Sequence, residues 1–335
     1  MSLAFLDAGD SVFVARHLAW WSLGMPRAGQ TGRGRVLAVR RLTVALIVAG
    51  LLSPGALRAQ PAKEDRDVRE EAEAAQRAMD IFLREQKVLI RRGELWLELN
   101  SFYSTDSRHD FVGSGTAVGL AEVRTQSAES TLILRYGLLN DLEADLRVPF
   151  VYAEQEIDFG ATRLRREEAG LGDVGAGLRY QVWRERPGSP DVVLSLEGKS
   201  RTGDEPLLGT GHWNVGGSVA LVKTFDPVVI FGRLGYTATL ERQGRDPGDE
   251  VFYQLGIGYS LNDRVSVSTQ LIGAVVGHTE LDGATLRRSH LDVISLQFGV
   301  TALVTRRLFI EPVVSVGLSK DAPDAVVGVN LLYRF

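Results

Sequence analysis

From Gly93 to the final Phe335, apolar side chains recur at every second position, broken only by polar turns. A period of two places successive side chains on opposite faces of an extended chain, so the sequence reads as strand after strand with one apolar and one polar face. Leu95, Leu97, Leu99 and Tyr103 alternate with Glu94, Trp96, Glu98 and Asn100. Leu142, Ala144, Leu146, Val148 and Phe150 alternate with Glu143, Asp145 and Arg147, and Val251, Tyr253, Leu255, Ile257 and Tyr259 with Gln254, Gly256 and Gly258. The last set is Val327, Val329, Leu331, Tyr333 and Phe335 against Gly328, Asn330 and Arg334. About twelve strands fit into this stretch.

A soluble β-sandwich alternates in the same way, and the connections separate the two architectures. Short links near Asn140-Asp141, Arg186 to Pro190, Asp226-Pro227, Asn262-Asp263 and Thr305-Arg306 alternate with polar segments that are mostly longer. These are Ser104 to Gln126, Ala153 to Gly170, Thr202 to Gly211, Arg242 to Asp249, His278 to Ser289 and a short Lys320 to Asp324. Such alternation predicts an all-β fold: a transmembrane up-and-down antiparallel β-barrel of the outer membrane, short turns in the periplasm and loops outside. On the apolar face, Tyr136, Tyr180, Phe225, Tyr259 and Tyr333 fall near the short turns, while Tyr103, Tyr152, Trp213, Tyr236 and Tyr253 fall near the loops. Sorted this way they make two girdles at the membrane surfaces. Pro149 and Pro312 cannot donate to a ladder, which predicts local bulges there.

Ahead of the strands, Arg33, Arg35, Arg40 and Arg41 precede an apolar run from Leu42 to Leu52 that Ser53, Pro54 and Gly55 end. The run is too short to span a bilayer and reads as a secretory signal peptide cut after Ala59. From Lys63 to Arg92 there is neither Pro nor Gly, and Val68, Ala72, Ala75, Met79, Phe82 and Leu89 follow a heptad stripe. The expected organisation is therefore residues 1–59 as signal peptide with an N-terminal extension, 60–92 as a short periplasmic helical segment, and 93–335 as the barrel. The net charge of −4 and 24% charged residues give no basic surface for nucleic acid, and the absence of Cys excludes thiolate metal sites and disulfides.

No catalytic, cofactor-binding or metal-binding constellation is expected. Gly170, Gly172 and Gly175 have the spacing of a dinucleotide fingerprint, but a period-two strand follows where a helix must open. Glu143 and Asp145 share a strand face with Arg147, which favours an ion-paired wall over acid-base work. His109, His212, His278 and His290 are far apart, and no Gly-x-Ser-x-Gly elbow accompanies them, so nothing marks a lipase. Strand parity instead turns a set of charged residues into the lumen: Glu98, Arg135, Glu143, Asp145, Arg147, Arg179, Glu197, Lys199, Arg233 and Glu311 are the candidate pore lining. With Glu94, Asp173 and Arg334 added, the two signs nearly balance, which predicts little charge selectivity. Pairs hydrated in an open lumen would contribute little to stability.

The chain closes on Asn330-Leu331-Leu332-Tyr333-Arg334-Phe335, which resembles the terminal signal that outer-membrane barrels present to their assembly machinery. FLREQKVLIRRGELWLEL (Phe82 to Leu99), LRYGLLNDLEADLRVPF (Leu134 to Phe150) and GLGDVGAGLRY (Gly170 to Tyr180) resemble the family of outer-membrane channels named for the meta-pathway of phenol degradation. That resemblance implies a barrel distantly similar to the porin-like fatty-acid and aromatic-hydrocarbon channels, and passive uptake of small molecules, hydrophobic or aromatic ones included. The partners it implies are outer-membrane lipid, the barrel assembly machinery and a small permeant, with a homo-oligomer open and nucleic acid excluded. A non-conducting structural barrel, or an adhesin that binds through its loops, stays open as the alternative.

Overall fold

The computed structural model describes residues 89–335, apart from 115–116, 159–162, 204–206 and 287–288. The signal peptide and the helix as far as residue 88 lie outside the described residues. Leu89 to Arg92, the end of that helical segment, are described and form a bend and a turn, not helix.

The strands are β1 (Leu95–Ser114), β2 (Ala117–Leu139), β3 (Leu142–Asp158), β4 (Arg163–Leu171), β5 (Gly175–Trp183), β6 (Asp191–Lys199), β7 (Asn214–Phe225) and β8 (Val228–Thr239). They continue as β9 (Arg245–Asp246), β10 (Glu250–Ser260), β11 (Val265–Val276), β12 (Glu280–Leu281), β13 (Ala284–Thr285), β14 (Leu291–Leu303), β15 (Leu308–Gly317) and β16 (Ala325–Arg334). β4 and β5 are two halves of one stave, and the result is a closed antiparallel barrel of 12 strands. β1 closes it against β16, from Trp96 opposite Arg334 to Thr105 opposite Ala325. Closure leaves no edge strand in the hydrocarbon layer, where backbone donors have no water to turn to.

The burial pattern is inside out for a water-soluble protein. Glu98, Arg135, Glu143, Gln254 and Glu311 are buried, while Leu234 and Leu255 are each 60% exposed. Apolar outward faces of this extent are stable only against lipid. Tyr103 stands opposite Ala128, which stands opposite Tyr152, so one girdle runs level across β1, β2 and β3.

Four features differ from the sequence reading. Ser104 to Gln126 and Ala153 to Gly170 are not loops: β1 and β2 pair as far as Ser114 and Ala117, and β3 and β4 as far as Asp158 and Arg163. In the β3–β4 hairpin cross-strand charges support the pairing, as in Arg163 with Asp158 at 2.9 Å and Arg165 with Glu154 at 2.9 Å. The segments Arg242 to Asp249 and His278 to Ser289 hold a small sheet of β9, β12 and β13.

The bulges expected at the prolines are absent. Pairing of β14 with β15 skips the positions facing Pro312 and resumes in the same register, from Gly299 opposite Val313 to Ala302 opposite Ile310. Pro149 instead faces an interruption in its neighbour. Its carbonyl accepts from Gly172 N at 2.9 Å, and N and O of one strand residue point the same way, so its missing donor meets the break between β4 and β5. Register shifts occur elsewhere, between Gly137 and Leu139 and between Gln181 and Trp183, beside two short turns.

The connection from β6 to β7 fills the break. Thr202 Oγ1 donates to Gly172 O at 3.0 Å and accepts from Val174 N at 2.8 Å, while Leu207 and Leu208 pack on Val151 and Ala153. Thr202, Leu207 and Leu208 thus lie against the inner wall, where the sequence predicts an outer loop.

Candidate functional site

The inward face of the barrel carries a belt of alternating charge. Register brings Arg135 on β2 opposite Asp145 on β3, and Glu143 opposite Arg179 on β5. Arg135 Nε lies 2.8 Å from Glu98 Oε1 on β1, and its Nη1 lies 3.7 Å from Glu143 Oε1. Arg179 Nε contacts Glu143 Oε1 at 3.0 Å and Asp145 Oδ1 at 3.7 Å. Arg147 bridges Asp145 at 3.0 Å to Glu197 at 3.1 Å, and Arg233 reaches Glu197 at 3.5 Å across β7, where its Nε donates to Ser218 Oγ at 2.9 Å. Gly177 makes room for the belt: a Cβ there would stand 2.7 Å from Asp145 Oδ1.

Eight of the ten candidate residues thus form one chain, Glu98–Arg135–Glu143–Arg179–Asp145–Arg147–Glu197–Arg233, with equal numbers of each sign. The other two are not in it. Lys199 sits above the belt against Asp173 at 3.5 Å and Thr210 at 3.2 Å. Glu311 lies on the far wall, accepting from Thr301 Oγ1 at 2.9 Å and Asn330 Nδ2 at 3.1 Å. The belt side chains are at most 18% exposed, so hydrated pairs in an open lumen do not describe them. Low local dielectric strengthens each contact and penalises any unmatched charge.

A strap that the sequence reading placed in a helix crosses the short-turn mouth. Gly93, at φ +82°, turns the chain out of β1, and its N–H donates to Gly137 O at 2.8 Å. Gly137 needs to lack a side chain, because a Cβ would stand 1.9 Å from Arg91 O. Ile90 N then donates to Glu143 Oε2 at 3.0 Å, and Leu89 ends in a cluster with Val193, Ala220, Val222, Val229 and Phe231 on β6, β7 and β8. The strap therefore runs from β1 across the mouth to the opposite wall. Leu89 falls in the heptad stripe of the sequence; the local signal against helix is Gly93, directly after Arg91-Arg92.

Above the belt lies a cavity of about 110 Å³, lined among others by Glu129, Arg147, Pro149, Lys199, Glu250 and Phe252. It reaches from β2 round to β10. No cluster of His, Cys, Asp and Glu suited to a metal ion occurs among the described residues.

The profile of the family described as "Putative MetA-pathway of phenol degradation" matches residues 107–335, over half the chain. The chain belongs to this family. Of the three stretches that carried the resemblance in the sequence, Leu134 to Phe150 and Gly170 to Tyr180 fall within the matched residues, and Phe82 to Leu99 precedes them. Among solved structures, this MetA-pathway member is similar to the COG4313 outer membrane channel from Pseudomonas putida F1, with 13% identity, a TM-score of 0.59, and coverage of 73% of this chain and 97% of that one. The Pseudomonas putida toluene transporter TodX matches at 11% identity with a TM-score of 0.36, covering 74% of this chain and 89% of its own. The first of these likenesses shows the fold: an outer-membrane barrel. With the inside-out burial and the girdle across β1, β2 and β3, it places this family member in the cell outer membrane.

Proposed function

We propose that this barrel is a channel for passive passage of small molecules through the outer membrane, hydrophobic or aromatic ones included, and not an enzyme. The observation that carries the reading is a charged inner face enclosing a cavity of about 110 Å³ within an outer face made for lipid. A wall of fixed ion pairs presents polar groups to a solute while adding no net charge, so it guides without selecting strongly by sign. The COG4313 outer membrane channel shares the barrel architecture, which supports a channel without naming a permeant.

The strap and the tight ion pairing favour the second reading, a non-conducting structural barrel. Single-channel recording of the purified protein in planar bilayers separates the two. Discrete conductance steps support the channel; their absence both in the native chain and in Leu89→Ala, which loosens the strap, gives the lead to the structural barrel.

A further inference from the structure

We propose that the turns joining β10 to β11 and β14 to β15 form a headgroup site for an anionic glycerophospholipid in the leaflet on the short-turn side of the barrel. The inference rests on the outer-membrane placement and is independent of whether the barrel conducts.

Three arginines carry it. Arg264 ends the first turn, and Arg306 and Arg307 lie in the second. The two turns are neighbours, because Leu303 N donates to Arg264 O at 2.8 Å, and Arg307 O accepts from Arg334 N at 2.9 Å beside the end of β16. Both turns are fixed by their own side chains. Asn262 Oδ1 accepts from Arg264 N and Val265 N, each at 2.9 Å, and Thr305 Oγ1 accepts from Leu308 N at 3.1 Å. A ligand would therefore meet backbone that is already ordered.

The charge there is open to an outside partner. All three arginines are exposed, the Arg264 side chain to 72%. Asp263 stands 4.0 Å from Arg264 Nε, at the limit of an ion pair. Arg306 and Arg307 make no ion pair among the described residues, either with a side chain or with the terminal carboxylate of Phe335. Near the turn from β5 to β6, by contrast, Lys223 Nζ is held 3.0 Å from Glu185. Neighbouring guanidinium groups repel one another, and a phosphate that they share relieves the repulsion through charge-assisted hydrogen bonds.

The outer face beside the arginines identifies the body that carries the phosphate. Tyr259 stands opposite Val267, Val267 opposite Val300, and Leu308 opposite Tyr333, a continuous apolar surface under the two turns. Val304 is 53% exposed on the second turn itself. Tyr259 and Tyr333 belong to the girdle expected at this membrane surface, which sets the arginines at headgroup depth and the apolar row at acyl-chain depth. Short turns face the periplasm, where the leaflet is built of glycerophospholipids. An apolar wall accepts any of them; the cations above it favour a headgroup with net negative charge.

Native mass spectrometry of the full chain, carried in detergent micelles and titrated with one lipid at a time, reads the site directly. Phosphatidylglycerol should bind at least about ten-fold more tightly than phosphatidylcholine with the same acyl chains, the scale set by two arginines at a charged membrane surface. R306Q/R307Q should abolish that preference, whereas R163Q/R165Q, which removes as much positive charge from the β3–β4 hairpin, should leave it. R264Q should weaken it about five-fold, and an unchanged preference in R264Q overturns the site if the double variant does not fold. Equal binding of the two lipids, tighter binding of lipid A, a preference lost as readily in R163Q/R165Q, or a dimer that carries no lipid also overturns it.

Discussion

The backbone N–H of Ile90 donates to Glu143 Oε2 at 3.0 Å, joining the strap across the barrel mouth to the centre of the charge belt. The strap thereby shares a carboxylate with Arg179 and Arg135, and its position depends on the same side chain that holds the belt together.

Leu89 is the apolar end of that strap, docked on β6, β7 and β8. Leu89→Ala removes buried contacts worth about 2–5 kcal/mol at a core site. That energy holds the strap and not the ladder of the barrel, so the thermal midpoint of the barrel should stay close to native while conductance events become more frequent. Bilayer recording and heat-shifted gel migration measure the two effects separately.

Removing two belt cations tests the balance of the wall. Arg135→Ala with Arg179→Ala removes the described guanidinium contacts of Glu98 and Glu143 and leaves Asp145 with Arg147, and the reversal potential under a salt gradient should shift toward cation selectivity. Unlike hydrated lumen pairs, these are buried, and stripping one side of a buried pair costs about 3–5 kcal/mol. The midpoint for unfolding should therefore fall as well. An unchanged reversal potential in a variant that still conducts would show that the belt does not line the conducting path.

The two faces of the barrel should respond differently to one substitution. Leu255→Arg places a cation on an outward position that is 60% exposed and faces lipid, at a cost of about 2–4 kcal/mol near mid-depth. Gln297→Arg, on the inward face, should cost much less. Gln254 is a poorer control, because it is fully buried in a hydrogen bond with Gln270 at 2.5 Å and a larger side chain would break that pair. Denaturant titration in micelles or bilayers gives the comparison, and equal losses would mean the face assignment is inverted.

The short turn between β5 and β6 should weaken in acid. Burial pushes the Glu185 carboxyl up, but Lys223 Nζ at 3.0 Å and the Thr224 N–H at 2.9 Å outweigh it and hold the group below its usual range. A carboxyl depressed in the folded state stabilises above its unfolded pKa of about 4.3, and that contribution is lost as pH falls through the folded value. Amide exchange in this turn should therefore speed up below the usual carboxylate range. The same acid dependence in Lys223→Met would sink the assignment to this pair.

Alternation along the chain is a local property; it was sufficient to read the strands and the two faces, and the succession of short and long connections added the barrel. Leu255 outward and Gln254 inward follow from period two alone, because the pleat ties side-chain direction to sequence parity. The long hairpins were not legible for the same reason: from Ser104 to Gln126 apolar residues such as Phe111, Val112, Val118 and Leu120 fall on both parities among polar ones and glycines, so no contrast between faces marks the strand. Parity also turned Glu98, Arg135, Glu143 and Arg179 inward, but not which acid meets which base. That depends on the stagger between neighbouring strands, which closure of the barrel sets and no single strand contains. The strap is more remote still. Leu89 meets Val193, Ala220 and Phe231 only because the barrel closes and brings the opposite wall within reach, and a contact between segments so far apart in sequence leaves no periodic trace in either of them.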